Sequence, residues 1–210
     1  MRIAALVAIL VLLAGCSHTV GGGPERAHHT TTQAVSGSNL PAASVPAPGK
    51  PIAAVISWIE AGHPADRARY QLGPDVAFSA TASKTRCTTD SKHTGGALAC
   101  LVELSNPPPR PDTAYGEWKG GWVDFDGTNL GVGASRADPG PFLNGTGTEL
   151  ANGDSLSFGD YRCRADQAGL FCVNYAHQSG ARFSAAGVEP YGCLRSVPPP
   201  DGVGIAFNCP

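Results

Sequence analysis

The chain is short of charge. Only 15% of its 210 residues are Asp, Glu, Lys or Arg, and 15 basic side chains against 17 acidic ones leave a net charge of −2. A nucleic-acid binder of the electrostatic kind needs a clustered Lys/Arg excess, which this balance excludes. Methionine occurs once, at Met1, and aromatics make up 7%. The longest apolar run, Ile3 to Gly15, has thirteen residues. That is well below the about 20 needed to span a bilayer. Motifs of enzyme chemistry are missing too. No Cys-x-x-Cys is present for a metal knuckle, and no Gly-x-Ser-x-Gly for a nucleophile elbow. Ser-x-x-Lys is absent, although Thr81-x-x-Lys84 and Thr89-x-x-Lys92 imitate it. The run of three glycines, Gly21 to Gly23, has neither strand nor helix pattern around it to hold a phosphate.

What is present is punctuation. The chain has 27 Gly, 18 Pro and seven Cys. Arg2 followed by the short apolar run, with small residues at its end, has the layout of a secretory signal. The run closes Leu13-Ala14-Gly15-Cys16, which resembles the bacterial lipoprotein box. That resemblance implies removal of residues 1–15, a lipid on the Cys16 sulfur, and attachment to the extracytoplasmic face of the cell membrane. Residues 16–50 then form a tether rich in Ser, Thr, Gly, Ala and Pro. Such a composition buries too little apolar surface to offset chain entropy, so it reads as disordered. As a flexible coil it reaches about 30–35 Å. His18, His28 and His29 lie on it without acidic or Cys partners and read as solvated.

Residues 51–210 are one domain's worth of chain. Arg2, Arg26, Lys50 and Glu25 precede it, so it keeps 12 basic and 16 acidic side chains, net −4. A mildly acidic domain has no general attraction for anionic lipid or nucleic acid. Membrane contact is expected through Cys16 alone.

Six cysteines remain: Cys87, Cys100, Cys163, Cys172, Cys193 and Cys209. In an oxidising compartment an even count reads as three disulfides. Six cysteines allow fifteen pairings. Sequential pairing is favoured by spacing, because each successive pair brackets a short segment with a turn signal inside it. Ile52, Val55, Ile56 and Ile59 recur with helical period, with Pro51 before, Gly62 after and Trp58 beside the stripe. The rest reads as short strands: 76–80, 85–89, 97–104, 121–126, 130–133, 155–163, 170–175, 181–184 and 204–209. The expected fold is therefore mainly β, an antiparallel sandwich or barrel-like domain with one N-terminal α-helix and three local disulfides. The stretches around Cys87–Cys100 and Cys163–Cys172 echo one another, by duplication or by chance. The segment from Ser135 through Phe142, and then LSFGDYRCRADQAGLFCVNYAHQSGARFSAAGVEPYGCL, resembles secreted mycobacterial lipoproteins of the LppI type. The shared frame is Cys163, Gly169, Cys172, Gly180 and Phe183. The family implies an envelope setting and brings no activity.

Three constellations are candidates for chemistry. Gly192-Cys193-Leu194-Arg195 resembles the Gly-Cys-x-Arg end of the L,D-transpeptidase motif, which implies a nucleophilic Cys193 paired with His177. Against it, Pro190-Tyr191 stands where that family has Ser-His, and a free Cys193 would strand Cys209. Asp124 and Asp126 alternate with Val123 and Phe125, either as an acid pair or as the polar outer face of a strand. Tyr115, Trp118 and Trp122 lie in YGEWKGGW, either as an exposed stacking surface for sugars or peptides or, for the two Trp, as core plugs. No residue set calls for a cofactor or a metal. The expectation is a non-catalytic envelope lipoprotein, either binding a glycan or protein partner or serving an envelope-structural role, the alternative a Cys-dependent peptidoglycan enzyme.

Overall fold

A computed structural model describes residues 44–136, 140–145 and 147–210. The signal run, Cys16 and the three tether histidines lie outside the described residues.

Alternation of apolar and polar residues builds two sheets. The first has strand order β1-β9-β10-β11-β12-β13. These are His63–Pro64, Asp154–Phe158, Tyr161–Asp166, Gly169–Asn174, Ser179–Ser184 and Gly187–Gly192. The second runs β14-β15-β7-β6-β5-β4-β3-β2. In that order these are Arg195–Val197, Val203–Asn208, Asn129–Ser135, Trp118–Phe125, Leu98–Val102, Thr85–Thr89, Asp75–Ala80 and Gln71–Leu72. A short β8, Thr148–Glu149, pairs with β3 in parallel, and β1 joins β9 likewise; the other pairings among the described residues are antiparallel. The inner faces meet in one core containing Phe78, Val123, Phe125, Leu156, Leu170 and Phe183. The fold is thus a sandwich, as expected from the strand pattern, and not a closed barrel.

Each sheet carries the same device. Cys87 faces Cys100 directly across β4 and β5, and Cys163 faces Cys172 across β10 and β11. Both pairs are disulfide-bonded, with Cα atoms 4.1 and 4.0 Å apart, and both project into the shared core. The third disulfide joins Cys193, just past β13 of the first sheet, to Cys209, just past β15 of the second. All three sequential pairs are therefore present.

The helix α1 is Ile52–Glu60, with Pro51 at its N-cap. It lies on the outer face of the first sheet, where Val55, Trp58 and Ile59 pack on Phe171, Val173 and Tyr191. The buried stripe is turned toward Trp58, leaving Ile52 and Ile56 half-buried. On that side the Trp58 ring packs on Phe171, and the Arg164 guanidinium stacks 4.0 Å over it and donates to the Trp58 carbonyl. Ala61, not Gly62, is the C-cap. Gly62 serves close approach instead, since a Cβ there would sit 2.9 Å from the Gly153 carbonyl oxygen.

Two expectations about strands need correction. Residues 155–163 are not one strand: Gly159, at φ +49°, opens a two-residue turn that folds β9 onto β10, with Phe158 opposite Tyr161. And β13 was not expected, because Pro190 interrupts it. It is an edge strand, where the missing N–H costs no ladder bond.

Candidate functional site

The outer face of the second sheet carries the most developed surface feature. Along β6, Val123 and Phe125 point into the core, so Trp122 and Asp124 point outward. An exposed indole there would leave a large apolar area in water. The chain covers it with a 3-10 turn, Gly140–Asn144, whose Phe142 meets Trp122 edge-on, centroids 5.2 Å apart. Trp122 is only 2% exposed as a result. Its indole N–H donates to Asp124 Oδ1 at 2.8 Å. The second Asp124 oxygen takes the guanidinium of Arg136, which also lies 4.8 Å over the Trp122 ring. Register alone does not bring the two together: Asp124 lies opposite Gly131, while Arg136, just past β7, has its backbone N–H on the Glu117 carbonyl at 2.8 Å, so it is the long Arg136 side chain that reaches Asp124.

The indole, carboxylate and guanidinium form the floor of a trough. On one side is a cavity of about 950 Å³, walled by Leu72, Pro74, Lys92, His93 and Leu143. On the other is one of about 640 Å³, walled by Val197, Pro200, Val203 and Phe207. Thr94, Asp124 and Arg136 line both, so the two cavities adjoin at this ion pair, while the buried Trp122 lines only the larger one. The side chains of Asp124 and Arg136 remain 44% and 40% exposed. They pair with each other yet keep hydrogen-bonding capacity toward a ligand. At the rim, His93 Nδ1 lies 2.8 Å from Asp90 Oδ2. Burial alone would raise the Asp90 carboxyl, but the hydrogen bonds and charge of His93 outweigh it and hold the group below its usual range.

The sequence candidates separate on this surface. Trp122 is buried, as the core alternative had it. Trp118 is half-buried and spends its N–H on the Pro108 carbonyl at 3.2 Å, with its ring against Gly133. Tyr115 stands 94% exposed in the preceding loop. Of the two alternatives, the core one describes Trp122, whereas Trp118 is packed on the Gly133 and Pro108 side and stays half-buried, and Tyr115 is exposed in the loop. Asp124 and Asp126 are not an acid pair. Asp126 organises the β6–β7 turn, accepting from the backbone N–H groups of Thr128 and Asn129 at 2.7 and 2.6 Å. Burial alone would raise its pKa, but the Asn129 side-chain amide, donating to Asp126 Oδ2 at 2.9 Å, together with those backbone bonds outweighs it and lowers the pKa. Cys193 is bonded to Cys209, and the nearest contact of its sulfur with His177 is the backbone carbonyl oxygen at 3.3 Å. A disulfide sulfur holds no thiolate, so this oxidised state does not supply the nucleophile that the transpeptidase-like motif implies. Among the described residues no three His, Cys, Asp or Glu side chains cluster as a metal site, and no helix is long and apolar enough to cross a membrane.

Arg136 and Phe142 were missed from sequence. The period-two pattern places Trp122 and Asp124 on one face, but nothing in it says that a turn twenty residues later covers that face. No protein-family model, curated protein or solved structure matches this chain, so the trough itself is what a functional reading has to rest on.

Proposed function

We propose that this is a lipid-anchored cell-envelope lipoprotein, held at the extracytoplasmic face of the membrane through Cys16, whose β-sandwich binds an envelope component without transforming it. The observation that carries the binding role is the trough floored by Trp122, Asp124 and Arg136. A half-exposed carboxylate and guanidinium side by side keep acceptor lone pairs and donor N–H groups for hydroxyls. Apolar walls such as Leu143, Val197 and Pro200 suit the CH faces of sugar rings. An envelope glycan is therefore the ligand of choice. The anchor rests on the resemblance of Leu13 to Cys16 to the lipoprotein box and on the resemblance to LppI-type lipoproteins.

One experiment has two arms. Soluble envelope polysaccharide fragments, titrated calorimetrically into the purified protein, are expected to bind, and Arg136→Ala to weaken binding about tenfold, the size of one charge-assisted hydrogen bond. Failure of every fragment to bind the intact protein, or equal binding by the variant, overturns the glycan reading. In cells, Cys16→Ala is expected to move the protein from the membrane fraction to the soluble one. Continued membrane retention overturns the anchor.

A further inference from the structure

The three disulfides differ in surroundings. Cys87, Cys100, Cys163 and Cys172 are 0–1% exposed inside the sandwich core. Cys193 and Cys209 are both partly exposed. Cys193 lines a cavity of about 490 Å³ between the start of α1 and the end of β13, together with Lys50, Tyr191 and Arg195. Two of its lining residues are cationic and none is acidic. Glu189, the nearby acid on β13, is engaged by Arg182 at 2.7 Å. Arg195 is fixed in place: its guanidinium donates to the carbonyls of Gly192 and Leu194 at 2.8 and 3.0 Å, one on each side of Cys193. A positive charge is thus held beside a partly exposed cysteine, in a pocket open to a second molecule.

We infer that Cys193–Cys209 is a thiol–disulfide exchange site, attacked at Cys193 by the thiolate of a dithiol reductant, either a small dithiol or a dithiol protein. Exchange proceeds through a thiolate, and a cationic environment stabilises both the incoming thiolate and the one that departs. The attacking sulfur forms a bond to Cys193 Sγ as the Cys193–Cys209 bond breaks, and the electron pair leaves on Cys209 Sγ. The reductant's second thiolate then displaces Cys193 from the mixed disulfide. The reductant ends as a disulfide, having given two electrons, and the two protein thiolates take up the two protons it released. The sandwich survives the step. Both buried disulfides are untouched, and β15 keeps its ladder with β7 from Val203 opposite Ala134 to Asn208 opposite Asn129. What loosens is the crossover at Leu194, where the chain passes from one sheet to the other.

The test uses the full oxidised chain without denaturant. Graded dithiothreitol at neutral pH, acid quench, alkylation and peptide mapping are expected to label Cys193 and Cys209 at least tenfold faster than the other four, with the far-UV circular dichroism unchanged. A pulse of glutathione is expected to leave its mixed disulfide on Cys193. Arg195→Gln and Lys50→Gln are each expected to slow the exchange at least threefold, and Arg195→Lys to recover part of the loss. Equal labelling of all six cysteines, release only on unfolding, a glutathione adduct on Cys209 instead, or unchanged rates in both charge-removing variants overturns the inference.

Discussion

At the scale of single residues, burial and hydrogen bonding decide how this protein titrates. Tyr161 stands on β10 and donates its hydroxyl to the Phe125 carbonyl at 2.9 Å, bridging the two sheets through the core. Burial pushes its pKa up to about 12, from the usual value of 10.0. The folded state therefore resists ionisation that the unfolded chain accepts. A raised pKa contributes stability that is fully present below pH 10 and lost as pH rises through 12. Two units correspond to roughly 3 kcal/mol at the most. Denaturant unfolding from pH 9 to 12 is expected to show that decline, and Tyr161→Phe to remove much of it at a fixed cost, about 1 kcal/mol, for the lost hydrogen bond. An unchanged slope in the variant would mean that another group titrates. Asp126 works in the opposite direction: its lowered pKa gives stability present above the ordinary carboxylate range and lost as pH falls through it.

At the scale of elements, strand β6 shows a local irregularity in its pairing with β7, next to the trough. Register shifts between Lys119 and Val123, where Gly120 and Gly121 pass through a bulge. A Cβ at Gly121 would lie 2.1 Å from the Val102 carbonyl oxygen, a contact that only displacement of β5 could relieve. Gly121→Ala is expected to destabilise the domain by about 1–3 kcal/mol. It should also disturb the neighbouring Trp122, giving a red-shifted Trp emission at temperatures where the parent is fully folded. Loss of stability without change in emission would place the strain elsewhere. This element also marks where sequence reasoning stops. Strands β3 and β4 were legible because period-two alternation lies in the chain itself. The Cys pairs were legible because each closes a short loop. Strand β13 was hidden by Pro190, which is excluded from central strands and accepted at an edge, and edge status is a property of the whole sheet. The site was half-legible for the same reason. Trp122 and Asp124 share a face by alternation alone, whereas Arg136 joins them through the reach of its side chain from beyond β7 and Phe142 through the path of the next loop.

At the scale of the whole molecule, the question is where the folded body begins. Composition sets the boundary at residue 51, just before the helix. The structure carries contacts further toward the N-terminus. Pro46 is buried, and its carbonyl accepts from the Tyr191 hydroxyl at 3.4 Å. Lys50 closes the cavity beside Cys193. Tyr191 itself sits under α1, packed with Phe171 and Trp58. Residues 44–50 thus fasten the helix entrance to the β13 edge, where Pro190 already limits strand pairing. A chain beginning at residue 44 is expected to be more stable than one beginning at 51 by about 1–2 kcal/mol, the sum of a modest hydrogen bond and a buried proline ring. Amide hydrogen exchange should localise the loss to α1 and β13, leaving β10–β11 and β4–β5 protected behind their disulfides. Equal stability of the two chains would return the boundary to residue 51. Loss spread evenly over both sheets would show that the helix and the sandwich unfold as one unit.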